Sequence, residues 1–282
     1  MRRPDRAGGL MGKLRAILIL VALVPVTLVG IALQWLSVKL RLRTAALIPV
    51  IWHRYVLWLI GIRVIERGRP SRERPMLITA NHTSWLDIDV LSSRMPLSFI
   101  AKAEVADWPI FGLFAKLQRT VFVDRTRRTK TGEVATAIAD RLSGGDAMVL
   151  FAEGTSNNGN RVLPFRSAPR PAARSAILDG GHERVWIQPL SIAYTRLDGI
   201  PMGVRERAVV AWYGDMDMLP HLWAVLKSGA IDVEVTWGEP IAYDEESDRK
   251  AIALSAERAV RTMTTLALRG GGGAKTISTG AF

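Results

Sequence analysis

The first sixty residues are far more apolar than the rest of the chain. Residues 16–38 contain no charged side chain, and as an unbroken helix they would span about 34 Å, enough to cross the hydrocarbon core of a bilayer. A second apolar stretch, residues 45–62, is interrupted by His53 and Arg54 and is rich in aromatic side chains, which favour the membrane interface. Residues 1–62 are therefore predicted to form a helical membrane anchor.

Two arrangements of this anchor are open. Pro25 lies within the first apolar run and lacks an amide donor, so a kink or break is expected there. Because basic residues flank this run on both sides, the positive-inside rule favours two helices inserted into one leaflet from the cytoplasmic side. The alternative is one transmembrane helix followed by a buried helix. The flanking residues are Arg2, Arg3, Arg6, Lys13 and Arg15 before the run and Lys39, Arg41 and Arg43 after it.

From residue 63 onward, short apolar runs alternate with patterns of helical period. This alternation predicts an α/β domain, residues 63–268, with a mixed, largely parallel sheet flanked by helices. Residues 269–282 are predicted to form a disordered tail. The predicted strands are 63–66, 76–80, 98–101, 120–123, 147–151, 185–192, 208–212 and 231–237. The predicted helices are 85–94, 109–117, 130–142, 168–178, 219–226 and 247–268.

Charge and composition narrow the possible partners. The net charge of +12 indicates an anionic partner, and the apolar N-terminal segment makes a lipid surface the better candidate than nucleic acid. The sequence has no long Lys/Arg run and no nucleic-acid-binding motif. Since it contains no cysteine, a thiol nucleophile and cysteine metal ligands are excluded. No set of His, Asp and Glu has metal-site spacing, so no metal is predicted.

The stretch NHTSWLD, directly after the strand at 76–80, carries the strongest chemical signal. It places His82 at the carboxyl end of a strand and Asp87 in the first turn of the next helix. The carboxylate can then bond one imidazole nitrogen and leave the other free to accept a proton. Two other interpretations remain, because Ser84 and Asp87 also have the spacing of a capping box and Asp89 is a competing carboxylate. The other histidines are assigned no catalytic role, and His53 is expected at the membrane interface.

The sequence offers no nucleophile of its own for this base to activate, because it lacks both cysteine and a G-x-S-x-G elbow. The base would therefore act on a hydroxyl of the substrate, and group transfer would be direct. Further polar residues follow two other predicted strands, where ligands gather in α/β sheets. They are Asp124 and Arg125 after 120–123, and Glu153, Gly154 and Thr155 after 147–151.

These blocks, in this order, resemble the glycerolipid acyltransferase family, typified by bacterial 1-acyl-glycerol-3-phosphate acyltransferase. His82 and Asp87 match its His-x4-Asp motif, which implies a general base and the carboxylate that orients it. The resemblance extends over residues 63–237. It implies that Arg125, Glu153, Gly154 and Thr155 bind the acceptor. Pro189 matches the fourth block, and Lys102, Glu104, Pro109 and Gly112 fit the stretch between the first two blocks.

One position departs from the family pattern. The third block usually continues Glu-Gly-Thr-Arg, whereas here Ser156 follows Thr155. Arg161 and Arg166 are candidates to replace the missing cation, although each also fits an ordinary surface arginine. The form EGTSNNGNRVLPF resembles the branch that contains lyso-ornithine lipid acyltransferases, whose acceptor has no phosphate. The resemblance therefore implies 1-acyl-glycerol-3-phosphate as the first acceptor and lyso-ornithine lipid as the alternative.

The resulting hypothesis is a monotopic O-acyltransferase at the cytoplasmic face of a bacterial inner membrane. Its partners would be a lysolipid acceptor, membrane lipids, and acyl carrier protein or acyl-CoA as co-substrate, with no cofactor. Lys102 or backbone amides would stabilise the oxyanion. Two rivals remain open. One is a lipase or thioesterase that uses water as the acceptor, and the other is a non-catalytic membrane protein that binds lipid or nucleic acid.

Overall fold

The structure is a computed structural model that describes residues 9–123, 131–165 and 182–270. Several sequence predictions fall outside this part of the chain. They are the helix at 168–178, the tail beyond residue 270, and the candidate side chains of Asp124, Arg125 and Arg166.

The described residues form seven α-helices and two short 3-10 helices, at Ala103–Asp107 and Glu206–Val209. The first two α-helices lie in the predicted anchor, and the first strand begins directly after them. The helices are α1 Leu10–Lys39, α2 Thr44–Ile60, α3 Leu86–Ser92, α4 Phe111–Leu117, α5 Thr131–Ser143, α6 Met218–Lys227 and α7 Arg249–Leu268.

One nine-stranded sheet runs through the described domain. The strands are β1 Ile62–Arg67, β2 Met76–Ala80, β3 Ser98–Lys102, β4 Val121–Val123, β5 Ala147–Phe151, β6 Val185–Leu197, β7 Ile200–Pro201, β8 Ile231–Trp237 and β9 Ile241–Tyr243. The order of the strands in the sheet is β1-β8-β6-β2-β5-β3-β4, with β7 and β9 also pairing with β6. Strands β6, β2, β5, β3 and β4 are parallel, whereas β8 runs antiparallel to β6. The predicted mixed, largely parallel sheet is confirmed.

The central strand β2 is buried at every position, as expected for a strand covered on both faces. Its side chains alternate between two cores. Ile78 packs in the core that includes residues of α2 and α3, whereas Leu77 packs with Ile138 and Leu142 of α5. Helices thus cover both faces of the sheet and leave the carboxyl ends of its parallel strands free to build a site.

Helix α1 is long and apolar enough to cross a membrane, judged by length and composition alone, and α2 is shorter. Of the kink or break expected at Pro25, a break does not occur, because α1 continues as a helix through that residue. Many apolar side chains of α1 have no cover from the described part of the chain, and Leu14, Val21 and Leu28 are each more than half exposed. A contiguous apolar surface of this kind marks a contact with lipid or another apolar partner.

Both halves of α1 nevertheless bond to the α/β domain. Near its start, Arg15 donates to the main-chain oxygen of Leu226 at the end of α6. Near its end, Gln34 donates to the main-chain oxygen of Leu117 in α4, at 2.9 Å. These two side chains are separated by roughly 28 Å of helix. Helix α1 therefore lies along the domain over this length rather than leading away from it.

The predicted strand at 208–212 is wrong. This segment starts within the 3-10 helix Glu206–Val209, and the amides of Val210 and Ala211 donate to the carbonyl of Arg207 at 3.0 and 2.9 Å. The Arg207 side chain is buried and bonds the main-chain oxygen of Met202 at 3.0 Å, which fixes the turn. A short apolar run does not by itself distinguish an extended strand from a helical turn.

Candidate active site

The site forms where β2 ends and β6 continues. After Ala80, the side chain of Asn81 takes over the pairing with β6. Its Nδ2 donates to the main-chain oxygen of Ile192 and its Oδ1 accepts from the Ile192 amide, both at 2.9 Å. The chain can then turn away from the sheet without leaving a buried polar group unpaired. This turn places His82 at the carboxyl end of β2, as the sequence predicts.

His82 and Asp87 are paired as predicted. Nδ1 of His82 lies 2.8 Å from Oδ2 of Asp87, and the carboxylate is completely buried. The amides of Thr83 and Ser84 donate to the same oxygen at 2.7 and 3.0 Å. Since an ionised carboxylate only accepts hydrogen bonds, Nδ1 of His82 is the donor and Nε2 remains free to accept a proton.

These bonds decide between the alternative roles of the carboxylates. Asp87 accepts from the Ser84 amide as in a capping box, but the buried Ser84 hydroxyl has no partner within the described residues. Only half of the capping-box motif is therefore present. Asp87 accepts hydrogen bonds both from the main-chain amides of the turn and from the imidazole of His82. Asp89, the competing carboxylate, lies 2.8 Å from Nδ1 of His53 instead.

The interfacial position expected for His53 is wrong, because this residue is buried between α2 and α3. Its Nδ1 bonds Asp89, and its Nε2 lies 3.2 Å from Oε1 of Gln118. With both ring nitrogens engaged, His53 has no free nitrogen for proton transfer. The other two histidines are also engaged in structural bonds: His182 bonds Ser143, and His221 accepts from Nε1 of Trp85, both at 3.0 Å.

The His82 ring lies on the wall of a large cavity of about 1540 Å³. Phe151 stacks against the ring with 4.0 Å between centroids, which fixes the orientation of the imidazole. The cavity extends from His82 to the cleft between the anchor helices and the domain. A cavity of this size and apolar character suits an acyl chain. Apolar wall residues include Leu23, Leu28, Ile31, Trp52, Val56, Phe114 and Leu222.

The third sequence block folds beneath the His82 turn. The amide and the side-chain Nδ2 of Asn157 both donate to the main-chain oxygen of His82 at 3.1 Å. Nδ2 also donates to the carboxyl of Glu153, which is buried. Burial raises the pKa of Glu153 to about 8. Contact between Glu153 and the acceptor stays a prediction, because this carboxyl supports the turn and does not line the cavity.

Other predicted site residues do meet on the cavity wall. Lys102, at the end of β3, lines the cavity together with Gly154, Thr155 and Ser156. Arg161 is exposed and lies outside the cavity wall, so the structure does not bring it to His82.

Sequence reasoning missed Asn157 and Tyr194. The hydroxyl of Tyr194 donates to Oδ1 of Asp87 at 2.7 Å, across a separation of 107 residues. No local motif marks such a contact. The available signal was strand alternation, which places Tyr194 on the same face of β6 as the buried Leu190 and Ile192.

Comparison with known proteins identifies relatives of this chain. The model of the Acyltransferase family matches residues 52–193. The lyso-ornithine lipid O-acyltransferase of Brucella abortus is 49% identical over 93% of this chain and 98% of its own length. That of Rhizobium meliloti is 43% identical over 88% of this chain and 85% of its own. The 1-acyl-sn-glycerol-3-phosphate acyltransferase of Neisseria gonorrhoeae is 29% identical over 71% and 74%, respectively.

A solved structure shares the fold. The crystal structure of the 1-acyl-sn-glycerophosphate acyltransferase from Thermotoga maritima superposes with a TM-score of 0.61. The alignment covers 94% of this chain and 100% of that one, at 18% identity. The chain belongs to the acyltransferase family.

Proposed function

We propose that this protein transfers a fatty acyl chain from a thioester donor to the free hydroxyl of lyso-ornithine lipid. The observation that carries the proposal is the pair of His82 and Asp87, 2.8 Å apart, on the wall of an apolar cavity. The buried carboxylate orients the base, and the cavity can hold the chain that is transferred. The proposed reaction uses no cofactor or metal beyond the acyl donor, which is the acyl thioester of acyl carrier protein or of coenzyme A.

The proposed reaction is direct transfer. Nε2 of His82 accepts the proton of the acceptor hydroxyl, whose oxygen attacks the carbonyl carbon of the thioester. Asp87 stabilises the imidazolium that forms. Collapse of the tetrahedral intermediate breaks the carbon–sulfur bond, and the departing sulfur takes the proton from His82. The products are an ester and a free thiol, and the base is regenerated. Lys102 on the cavity wall is a candidate for stabilising the oxyanion.

Membership of the acyltransferase family weighs against both rivals. A non-catalytic lipid- or nucleic-acid-binding protein has no need for an oriented imidazole with one free nitrogen. A hydrolase with water as acceptor requires water at the base, whereas His82 faces a largely apolar cavity. The exclusion of water by a bound acyl chain would favour transfer over hydrolysis.

Lyso-ornithine lipid is the acceptor that the comparisons favour, which reverses the order implied by the sequence motifs alone. Two relatives with that printed activity align over most of this chain at 49% and 43% identity, against 29% for the 1-acyl-sn-glycerol-3-phosphate enzyme. Ser156, which replaces the arginine usual in the family block, lies on the cavity wall.

Charge on the described part of the wall fits the same acceptor. The residues that line the cavity include Lys102 and Lys250 together with Glu104 and Asp215. An ornithine head group has no phosphate and carries an ammonium group, which carboxylates can pair. Mixed charge on the wall supports recognition of a head group that itself contains a cation.

The proposal also places α1 and α2 in one leaflet of the membrane. Arg15 and Gln34 both bond to the domain although they lie roughly 28 Å apart along α1. A helix that crossed the bilayer would carry one of these residues to the opposite side from the domain. The basic residues on both flanks of the apolar run support placement at the cytoplasmic face.

An acceptor panel tests the proposed function. The purified wild-type protein is supplied with a radiolabelled acyl donor and, in separate reactions, lyso-ornithine lipid or 1-acyl-glycerol-3-phosphate. The donor is acyl-ACP in one series and acyl-CoA in another, and the His82→Ala variant serves as the blank. We expect acylated product with lyso-ornithine lipid at a higher kcat/KM than with the phosphate-bearing acceptor. Acylation of the phosphate-bearing acceptor alone would overturn the proposed substrate.

A further inference from the structure

Tyr194 reaches the active site because β6 is longer than the strand it pairs with. Strand β2 ends at Ala80, opposite Leu190, whereas β6 continues to Leu197. Asn81 bridges the next step by bonding both main-chain groups of Ile192. Tyr194 follows two residues later on the same face, beneath the start of α3. Its side chain is buried, so the ring is held in a fixed position.

The Tyr194 hydroxyl completes the set of donors around the Asp87 carboxylate. Oδ2 receives His82 Nδ1 and the amides of Thr83 and Ser84, at distances of 2.7 to 3.0 Å. The other oxygen, Oδ1, accepts from Tyr194 at 2.7 Å. A completely buried carboxylate is costly unless hydrogen bonds replace its lost hydration. The phenol therefore supplies a bond that the local turn does not provide.

We propose that Tyr194 is a positioning residue for the general base, acting on His82 through the Asp87 carboxylate. This inference rests on the proposed acyl transfer with His82 as base. The hydroxyl holds the carboxylate plane so that Oδ2 points at Nδ1 of His82. It also shares the negative charge of the carboxylate, which limits how strongly Asp87 favours the imidazolium.

The contact between Tyr194 and Asp87 also predicts the direction in which the pH–rate profile shifts when the hydroxyl is removed. Burial and the negative charge of Asp87 raise the pKa of Tyr194, so the phenol is protonated and donates. Removing the hydroxyl leaves more negative charge on Asp87, which favours the protonated imidazole of His82 over the neutral one. Neutral His82 is the active form, and the acid limb of the rate profile must therefore move to higher pH. Asp89 and Glu153 also face the pair, since the charge of Asp89 acts on Tyr194 and the charge of Asp87 acts on Glu153.

The first test compares Tyr194→Phe with Tyr243→Phe as a matched control. Tyr243 is also buried but packs in the second core with Leu77, on the other face of the sheet. We expect Tyr194→Phe to lower kcat about ten-fold because the carboxylate is no longer held in its orientation towards His82, with KM for the acceptor changed less than about two-fold. The acid limb of its rate profile should move to higher pH, whereas that of Tyr243→Phe should not move. An unshifted profile with unchanged kcat in folded Tyr194→Phe would overturn the inference.

A double-mutant cycle separates this role from general stabilisation. If Tyr194 acts through the carboxylate, adding Tyr194→Phe to Asp87→Asn should leave the residual activity unchanged. A further loss of about ten-fold in that background would overturn the inference, because the phenol would then act independently of Asp87. The comparison of Asp87→Asn with the double variant is decisive even if the single Tyr194→Phe variant fails to fold, since the neutral amide removes the buried charge that needs the phenol.

His82→Ala, measured in the same series, distinguishes a failure of the proposed reaction from a failure of the role proposed for Tyr194. Wild-type activity in His82→Ala would show that His82 is not the general base. An inactive His82→Ala beside an unaffected Tyr194→Phe would overturn only the role of Tyr194.

Discussion

The carboxylate of Asp89 lies 2.8 Å from Nδ1 of His53, and this bond joins α3 to the anchor helix α2. Asp87, two residues earlier on the same helix, bonds His82 instead. One short helix therefore carries the carboxylate that orients the base and the carboxylate that ties the domain to the anchor. The two His–Asp pairs are alike in type and distance, yet only His82 keeps a nitrogen free on the cavity side.

Substitution at the two carboxylates should separate these roles. Asp87→Asn should lower kcat by about 10³- to 10⁴-fold, because the amide favours the wrong tautomer of His82. Asp89→Asn should change kcat less than about three-fold, since His53 takes no part in the proton transfer.

Replacing His53 by Ala should lower the free energy of unfolding by roughly 1–3 kcal/mol, because its buried partners are left unpaired. Steady-state kinetics measure the effect of the two carboxylate substitutions, and thermal unfolding in the same detergent measures the effect of His53→Ala. Equal losses of kcat in Asp87→Asn and Asp89→Asn would contradict the separate roles of the two carboxylates.

Glu153 should make the stability of the protein depend on pH. Its pKa is raised from 4.5 to about 8 by burial, so the folded protein binds this proton more tightly than the unfolded chain. The stabilising contribution of the protonated carboxyl is present below pH 4.5 and is lost as pH rises towards about 8. Glu153→Gln keeps a neutral group of the same shape and should therefore be more stable, relative to wild type, at pH 8.5 than at pH 5.5. Thermal unfolding of both proteins at the two pH values measures this difference in stability. An equal difference between variant and wild type at both pH values would show that Glu153 is not a buried, protonated carboxyl.

Cysteine labelling tests the placement of the anchor. The sequence has no cysteine, and Met11 and Leu42, which flank the apolar part of α1, are 85% and 47% exposed. Met11→Cys and Leu42→Cys should both resist a membrane-impermeant thiol reagent in intact cells and react after permeabilisation. The control is Glu245→Cys, an exposed position of the domain, which reports the side of the membrane on which the domain lies. Labelling of Met11→Cys alone in intact cells would establish a helix that crosses the membrane.

The acceptor preference should respond to the charge at Ser156. Ser156→Arg restores the cation usual in the family block, on the wall of the cavity. We expect kcat/KM for 1-acyl-glycerol-3-phosphate to rise about ten-fold or more, as one charged hydrogen bond contributes roughly 1.5–3 kcal/mol. The control Arg161→Ala lies outside the cavity wall and should leave the ratio of the kcat/KM values for the two acceptors unchanged. An unchanged ratio in Ser156→Arg as well would show that this position does not select the acceptor.

The sequence predicts most of the fold because its signals are local. The continuous apolar run of β2 and the His-x4-Asp spacing each lie within a few residues, and both elements form where expected. The failures arise where tertiary contacts decide. His53 looks interfacial in an aromatic, apolar segment until α3 brings Asp89 against it. Tyr194 lies 107 residues from Asp87, so only the paired strands reveal that they touch.

The pair of His82 and Asp87 is the centre of the account, and His82→Ala tests it most directly. The matched control is His182→Ala, which removes a histidine whose ring bonds Ser143 away from the cavity wall. Transfer of a radiolabelled acyl chain to lyso-ornithine lipid should fall by about 10²- to 10⁴-fold in His82→Ala and stay near wild type in His182→Ala. Thermal unfolding should show that both variants are folded. Acyl transfer at the wild-type rate by folded His82→Ala would contradict the account.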